Sequence, residues 1–115
     1  MALVILALES PAVQPRVGGL PESCEDFDIT VEVMLAFAGH EADDVTFSFS
    51  VLSPSAMSRR QAGAFVSNVL LLQTFSWEHV RRHIERLLMQ VHSCTDWPSV
   101  IMRISPFMRP MGLNL

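Results

Sequence analysis

Two histidines, His79 and His83, stand four positions apart, a spacing that places two metal ligands on one face of a helix. Zinc needs at least two more ligands, and His92 and Cys94 are the nearest candidates. No Glu follows His79 as it would in a His-Glu-x-x-His motif, and two arginines lie between the pair, where their charge opposes a cation. The sequence therefore favours ordinary exposed histidines over a metal site, and we expect no cofactor.

Nucleophilic catalysis needs a Ser or Cys held beside a base that is itself oriented. The chain has no Gly-x-Ser-x-Gly elbow, and the lone Gly18-Gly19 pair does not form a phosphate-binding loop. Cys24 and Cys94 have no Cys-x-x-Cys spacing, which favours two reduced thiols, although one long-range disulfide stays open. We therefore predict a protein with no catalytic site.

The remaining candidate functional residues are carboxylates in the first half of the chain. They lie before, within and after one predicted strand, and comprise Glu22, Glu25, Asp26, Asp28, Glu32, Glu41, Asp43 and Asp44. The spacing of a calcium-binding EF-hand is missing, and a solvated acidic face is the simplest interpretation. The sharper hypothesis is a negatively charged docking surface for a basic partner, because complementary fields speed encounter.

The charges are distributed unevenly along the chain. Residues 1–58 hold nine acidic residues and one Arg, a net −8, whereas residues 59–115 hold seven Arg and three acidic residues, a net +4. The chain has no Lys, and an acidic first half cannot grip a phosphate backbone, so direct nucleic-acid binding is not expected. In the second half, Glu78 and Glu85 alternate with arginines along a predicted helix, which predicts ion pairs within the helix such as Glu78–Arg82.

The strands that carry the carboxylates are marked by alternation. From Phe27 to Phe37 every second residue is large and apolar, so one strand face turns to a core and the other carries polar residues. A polar loop at residues 39–44 and a second alternating run, Val45 to Leu52, predict an antiparallel hairpin. A continuous apolar run, Ala2 to Leu8, and a mainly apolar run, Val69 to Phe75, predict two further strands.

Capping residues predict the starts of three helices. Ser53-Pro54 predicts a short helix to about Ala62, and Asp96 predicts a last helix to about Ile104. Ser76 caps the longest helix, whose apolar stripe comprises Trp77, Val80, Ile84, Leu87, Leu88 and Val91. This order predicts an α+β fold, an antiparallel sheet of about four strands covered on one face by two to three helices. We expect residues 1–115 to form a single domain with an irregular tail at 105–115.

No stretch approaches the roughly 18 apolar residues of a membrane span. The apolar start lacks a basic region and is interrupted by Glu9, so it does not resemble a signal peptide. These features predict a cytoplasmic protein without a membrane partner. Seven Met and an apolar tail leave a homo-oligomer open.

Three segments, taken in order, are similar to a known family. They are an acidic strand start (Asp26-Phe27-Asp28-Ile29-Thr30-Val31), a Phe-x-Phe-x-Val strand ending in Ser-Pro (Phe47 to Pro54), and an apolar strand that leads into Phe75-Ser76-Trp77-Glu78. Asp96-Trp97 then opens the last helix. In this order and spacing the chain resembles the Immunity protein 8 family of bacterial polymorphic toxin and contact-dependent growth inhibition systems.

The resemblance implies a cytoplasmic antitoxin that binds the C-terminal domain of a cognate toxin and occludes its active surface. No catalytic residues are implied. If the toxin is a basic nuclease, the acidic residues of the first half would dock on it, and reversing Glu25, Asp26 and Asp28 to Lys should weaken binding and flatten its salt dependence.

Two other functions are compatible with the residues. One is an adaptor or assembly module unrelated to toxins. A neighbouring gene that encodes a large secreted protein would argue against this function. The other, less favoured, is a small metal-binding protein or enzyme that uses His79, His83 and Cys94, which elemental analysis of the purified protein would detect.

Overall fold

A computed structural model describes residues 2–60 and 67–111 and has the expected α+β architecture. Its strands form one sheet in the order β1-β2-β3-β4, and β5 pairs with β3 beside β4. The elements in chain order are β1 (Leu3–Glu9), β2 (Asp28–Phe37), a 3-10 turn (Glu41–Asp43), β3 (Val45–Leu52), α1 (Pro54–Arg60), β4 (Val69–Leu71), α2 (Trp77–Met89), α3 (Trp97–Ile104) and β5 (Arg109–Pro110).

The β2–β3 hairpin confirms the prediction from alternation. The two strands pair antiparallel over eight residues, from Asp28 opposite Leu52 to Leu35 opposite Val45. Every second side chain of the pair is buried, and Val31, Val33 and Phe47 have no exposed area at all. One face of the sheet is thus apolar, and the other, which we call the polar face, carries residues such as Thr30 and Ser48.

Strand β1 pairs antiparallel with β2 and lies at one edge of the sheet. It begins and ends one residue later than the predicted run, at Leu3 and Glu9. The register shifts between Ile5 and Ala7, and Leu6 in the shift is partly exposed. Bulges of this kind bend a strand and interrupt its hydrogen-bond ladder.

Strand β4 differs from the prediction in length and direction. It covers only Val69–Leu71, and it pairs parallel to β3, with α1 in the crossover that a parallel pair requires. The predicted strand to Phe75 is too long because Phe75 leaves the sheet: its amide donates to the Cys24 carbonyl, and its ring packs edge-on against Phe27 at 5.5 Å.

The prediction of an irregular tail is wrong for part of residues 105–115. Strand β5 pairs antiparallel with β3, with Arg109 opposite Ser48 and Pro110 opposite Phe47. Met108 is buried in the core, and the Met111 amide donates to the Thr46 carbonyl at 2.8 Å. The half of the β3 edge that β4 leaves free is therefore occupied by this segment.

Helices α2 and α3 cover the apolar face of the sheet, as predicted. Ser76 Oγ accepts the His79 amide at the start of α2, and Asp96 Oδ1 accepts the Ser99 amide at the start of α3. The buried residues of the two helices join the sheet core and comprise Val80, Ile84, Leu88, Val100 and Ile104. Full burial of each such side chain stabilises the fold by about 1.5–3 kcal/mol.

The predicted short helix is present as α1, but its expected end near Ala62 lies outside the described residues. Among the described helices, none has both the length and the apolar character needed to cross a bilayer.

Candidate functional site

The structure divides the acidic residues of the first half between the two ends of β2. One group, the start cluster, comprises Glu22, Glu25, Asp26 and Asp28, and the other, the hairpin cluster, comprises Glu41, Asp43 and Asp44. Strand β2 has ten residues, and at about 3.3 Å per residue it holds the two groups roughly 30 Å apart. Glu32 lies between them on the polar face, so the eight carboxylates do not form one continuous site.

In the start cluster, two of the four carboxylates form ion pairs with arginines of α1. Arg59 Nη2 lies 2.8 Å from Asp26 Oδ1. Arg60 makes a two-pronged contact with Asp28, with Nη2 at 2.7 Å from Oδ1 and Nε at 2.9 Å from Oδ2. The hydrogen bond from Arg59, followed by one from Ser55, lowers the pKa of Asp26 below its ordinary value. These acids therefore hold α1 against the sheet.

Ser53 organises the same end of the sheet from the interior. Its hydroxyl is fully buried and accepts both the Phe27 amide at 3.1 Å and the Ala56 amide at 3.2 Å. The second bond is the helix cap predicted for this serine. The first ties α1 to the entry of β2, across 26 residues of sequence.

Glu32 is also engaged by an arginine. Glu9 and Glu32 stand directly opposite each other in the β1–β2 pair, where like charges destabilise a sheet. Arg16 Nη2 lies 3.1 Å from Glu9 Oε1 and 3.6 Å from Glu32 Oε2. The positive charge of one arginine therefore reduces the repulsion between the two carboxylates. The hydrogen bond to Glu9 accordingly raises the pKa of Arg16.

The hairpin cluster has a different environment. Its three residues are exposed, and within the described ranges none of their carboxylates lies within 4.0 Å of an arginine nitrogen. Gly39 turns the chain with a φ of +86°, a conformation that side chains rarely adopt, and its amide donates to Glu41 Oε1 at 3.1 Å. That bond is the main cause of the lowered pKa of Glu41. The cluster is thus a locally ordered loop whose negative charge faces solvent.

Trp97 at the start of α3 fixes the loop to the core. Its ring packs on Phe37 at 4.9 Å and Phe47 at 6.2 Å, and its Nε1 donates to the Asp43 carbonyl at 3.2 Å. A groove of about 580 Å³ opens between the loop and α3. Asp96, the cap of α3, lines it beside Asp43 and Asp44, so the groove contains three carboxylates.

Sequence reasoning missed this part of the site. Asp96 carried only the signal of a helix cap, which the structure confirms, and the amide of Ser99 lowers its pKa in that role. Nothing in its local sequence indicates that α3 meets the hairpin. A negatively charged groove with an aromatic wall can bind a Lys or Arg side chain through charge and ring contacts.

The other candidates from the sequence are not brought together. His79 and His83 are exposed on α2, and in residues 2–60 and 67–111 no group of three or more His, Cys, Asp or Glu could hold a metal. Cys24 is half-buried and Cys94 buried, both as free thiols. The predicted helical ion pair is confirmed, with Arg82 Nη2 at 2.9 Å from Glu78 Oε1.

The family model described as Immunity protein 8 matches residues 19–109. The match begins in the loop before β2 and reaches the first residue of β5, so it includes both acidic clusters, the hairpin and all three helices. No curated protein and no solved structure matches the chain. Because the match covers far more than half of the sequence, and the order of its elements agrees with the resemblance found in the sequence, the chain belongs to the Immunity protein 8 family.

Proposed function

We propose that this protein binds the C-terminal domain of a cognate bacterial toxin and neutralises it by covering its active surface, without catalysis. The observation that carries the proposal is the family match over residues 19–109. Neutralisation by occlusion requires a stable surface that presents fixed charges and apolar contacts, and it requires no nucleophile. The proposed site of action is the cytoplasm of the cell that makes the protein.

We propose the hairpin cluster as the main toxin-binding surface. Its carboxylates have no arginine partner among the described residues, so their field is not cancelled by the fold itself. Trp97 and Asp43 hold the loop in one position, which lowers the entropy cost of ordering it on binding. The other acids, Glu22, Glu25, Asp26, Asp28 and Glu32, contribute to the same field at longer range.

The chemistry of the hairpin cluster specifies the partner's surface. Asp43, Asp44 and Asp96 line one groove with the Trp97 ring, and Glu41 is exposed in the same loop. These carboxylates complement Lys and Arg side chains, and a toxin that acts on nucleic acid would present such residues. The proposed partner is therefore a basic toxin domain, as a nuclease would be. An acidic protein bound over its active surface would compete directly with the phosphate backbone of the substrate.

The test is co-expression of the tagged full chain with the product of the gene immediately upstream. We expect a stable 1:1 complex in size-exclusion chromatography with light scattering, and a neighbour that stops growth when expressed alone. Growth should recover when this chain is co-expressed. A harmless neighbour that forms no complex would contradict the proposal.

A control separates neutralisation from simple binding. The toxin domain is purified from the complex under denaturing conditions, refolded and assayed, and the immunity protein is then added back. We expect inhibition to saturate at one equivalent, because occlusion is stoichiometric. Inhibition that continues to grow with time at a tenth of an equivalent would indicate a catalytic mode of protection instead.

A further inference from the structure

A second concave surface lies away from both acidic clusters. It is a groove of about 240 Å³ between α2 and β4, which we call the α2–β4 groove. Leu70, Ile84 and Leu87 line it, together with Phe107 and Met108, which follow α3. Most of its surface is carbon, in contrast to the acidic groove at the hairpin.

The apolar side chains of the groove are only partly covered. Leu70 and Leu87 are half-buried, and Phe107 keeps 49% of its area exposed, whereas its neighbour Met108 is buried in the core. Burying such surface on association contributes about 25 cal/mol for each Å² removed from water. A groove of this kind accepts a single large apolar side chain, the type of contact that dominates many protein interfaces.

The rim of the groove is basic. Arg86 and His83 of α2 line it, and no carboxylate among the described residues does so. Arg82, one turn earlier on α2, is paired with Glu78, whereas Arg86 has no ion-pair partner in the part of the chain that the structure describes. A ligand that fills the groove can therefore place a carboxylate against the guanidinium of Arg86.

The edge of the sheet lies next to the groove. Strand β4 pairs with β3 on one side, and no described strand pairs with its other side. An extended segment can add to an open edge through main-chain hydrogen bonds, and its alternate side chains then point into the adjacent pocket. The groove, the rim charge and the open edge thus specify the same kind of ligand.

We propose that an extended segment of the toxin domain adds to the open edge of β4, inserts a large apolar side chain into the α2–β4 groove, and places a nearby carboxylate against Arg86. This inference rests on the proposed function, since the partner is the same toxin. It assigns a second contact whose charge is opposite to that of the hairpin cluster, so the toxin segment at this point is acidic although its main docking surface is basic.

The test is the affinity of the full chain for the purified toxin domain, measured by isothermal titration calorimetry. The Arg86→Glu variant should bind at least about tenfold more weakly, because the toxin carboxylate loses a charge-assisted partner and meets a like charge. Arg81→Glu is the matched control, with the same charge change at an exposed position of the same helix outside the groove, and should not weaken binding.

The two variants separate this proposal from a general attraction between an acidic and a basic protein. General attraction predicts that both variants, being more acidic, bind as tightly as the wild type or more tightly. Equal or tighter binding by Arg86→Glu would overturn the groove contact and leave the proposed function intact. Failure of the wild-type chain to bind would remove the proposed function itself.

A second pair of variants tests the apolar part of the contact. Leu87→Gln should weaken binding by about tenfold or more, whereas Met89→Gln, at a side chain that is 69% exposed on the same helix, should not. Thermal unfolding followed by circular dichroism checks that both variants are folded. A folded Leu87→Gln variant with wild-type affinity would also overturn the proposal.

Discussion

The two ends of β2 carry the same residue types and use them differently. At the start cluster, Asp26 and Asp28 face two arginines of α1 at 2.8 and 2.7 Å. At the hairpin cluster, Asp43 faces the indole of Trp97, which contacts its backbone carbonyl and leaves its carboxylate in solvent. The element packed at each end decides whether an acid is paired with an arginine of the same chain or remains exposed to solvent.

The comparison also shows why the count of acidic residues overstates the charge available for docking. Asp26, Asp28 and Glu32 each have an arginine within 4.0 Å. Exposed ion pairs of this kind contribute little to stability, but they cancel much of the field at short range. Among the described residues, the first-half carboxylates without an arginine partner are therefore the three of the hairpin cluster and those of Glu22 and Glu25.

The largest expected effect comes from reversing the hairpin charges. In a Glu41→Lys, Asp43→Lys, Asp44→Lys variant we expect toxin affinity to fall by about a hundredfold and its salt dependence to flatten, with little change in stability. The measurement is calorimetric titration with the toxin domain at two salt concentrations. Urea unfolding of the variant checks that the fold is retained.

The matched control is the Glu25→Lys, Asp26→Lys, Asp28→Lys variant, which makes the same change of charge at the other end of β2. We expect it to lose less affinity than the hairpin variant and more stability, because the new lysines face Arg59 and Arg60. Equal losses of affinity would mean that the toxin senses total charge, and the distinction between the clusters would fail.

A smaller effect is expected from Ser53→Ala at the start of α1. The substitution leaves the buried Phe27 and Ala56 amides without their acceptor, which should reduce the free energy of unfolding by about 1–3 kcal/mol. Urea denaturation measures the loss, and Ser58→Ala, at an exposed position of α1, serves as the control. Toxin affinity should not change, and a large change would show that this end of the sheet takes part in binding.

The smallest effect concerns the lowered pKa values of Asp26 and Glu41, whose ordinary values are 3.8 and 4.5. A carboxyl with a lowered folded pKa contributes stability that is fully present above its ordinary pKa and is lost as the pH falls through the lowered value. The main cause is the hydrogen bond from Arg59 for Asp26, and the amide of Gly39 for Glu41.

Salt should separate these two causes. Screening weakens the attraction between Asp26 and Arg59 but acts little on a bond to a neutral amide. In carboxyl-carbon NMR titrations we therefore expect 1 M salt to move the pKa of Asp26 back toward its ordinary value by more than that of Glu41. Equal movement of the two carboxyls would mean that both ends of β2 are governed by the same electrostatics.

The elements with local signals could be predicted from the sequence. Alternation from Phe27 to Phe37 defined β2 and its buried face, and the serine and aspartate caps at Ser76 and Asp96 gave the starts of two helices. These signals depend on side-chain period and on hydrogen bonds within three residues, so they do not require knowledge of the tertiary structure.

The elements defined by distant pairing could not be predicted. Val69 to Phe75 begins with four consecutive apolar residues, so it contains no alternation that shows which direction the strand pairs. Arg109–Pro110 has no strand pattern, and it becomes a strand only because β3 offers a free half-edge more than sixty positions earlier. Tertiary context decides both cases.

The candidate site shows the same division. All eight carboxylates of the hypothesis could be named, but their separation into two clusters depends on the length of β2 and on what packs at each end. Arg59 and Arg60 follow Asp26 and Asp28 by more than thirty positions, so nothing local indicates that they pair. The docking hypothesis itself remains a prediction, now directed to the hairpin.

The hairpin loop at residues 38–44 contributes no buried side chain to the core. Its charge and sequence can therefore change without a cost in packing, while the β2–β3 ladder and Trp97 keep the loop at the same place on the molecule. Under the proposed function, folding and partner choice are separable traits in this chain. A lineage could then acquire a new specificity through substitutions at a few exposed positions, without any compensating change in the interior.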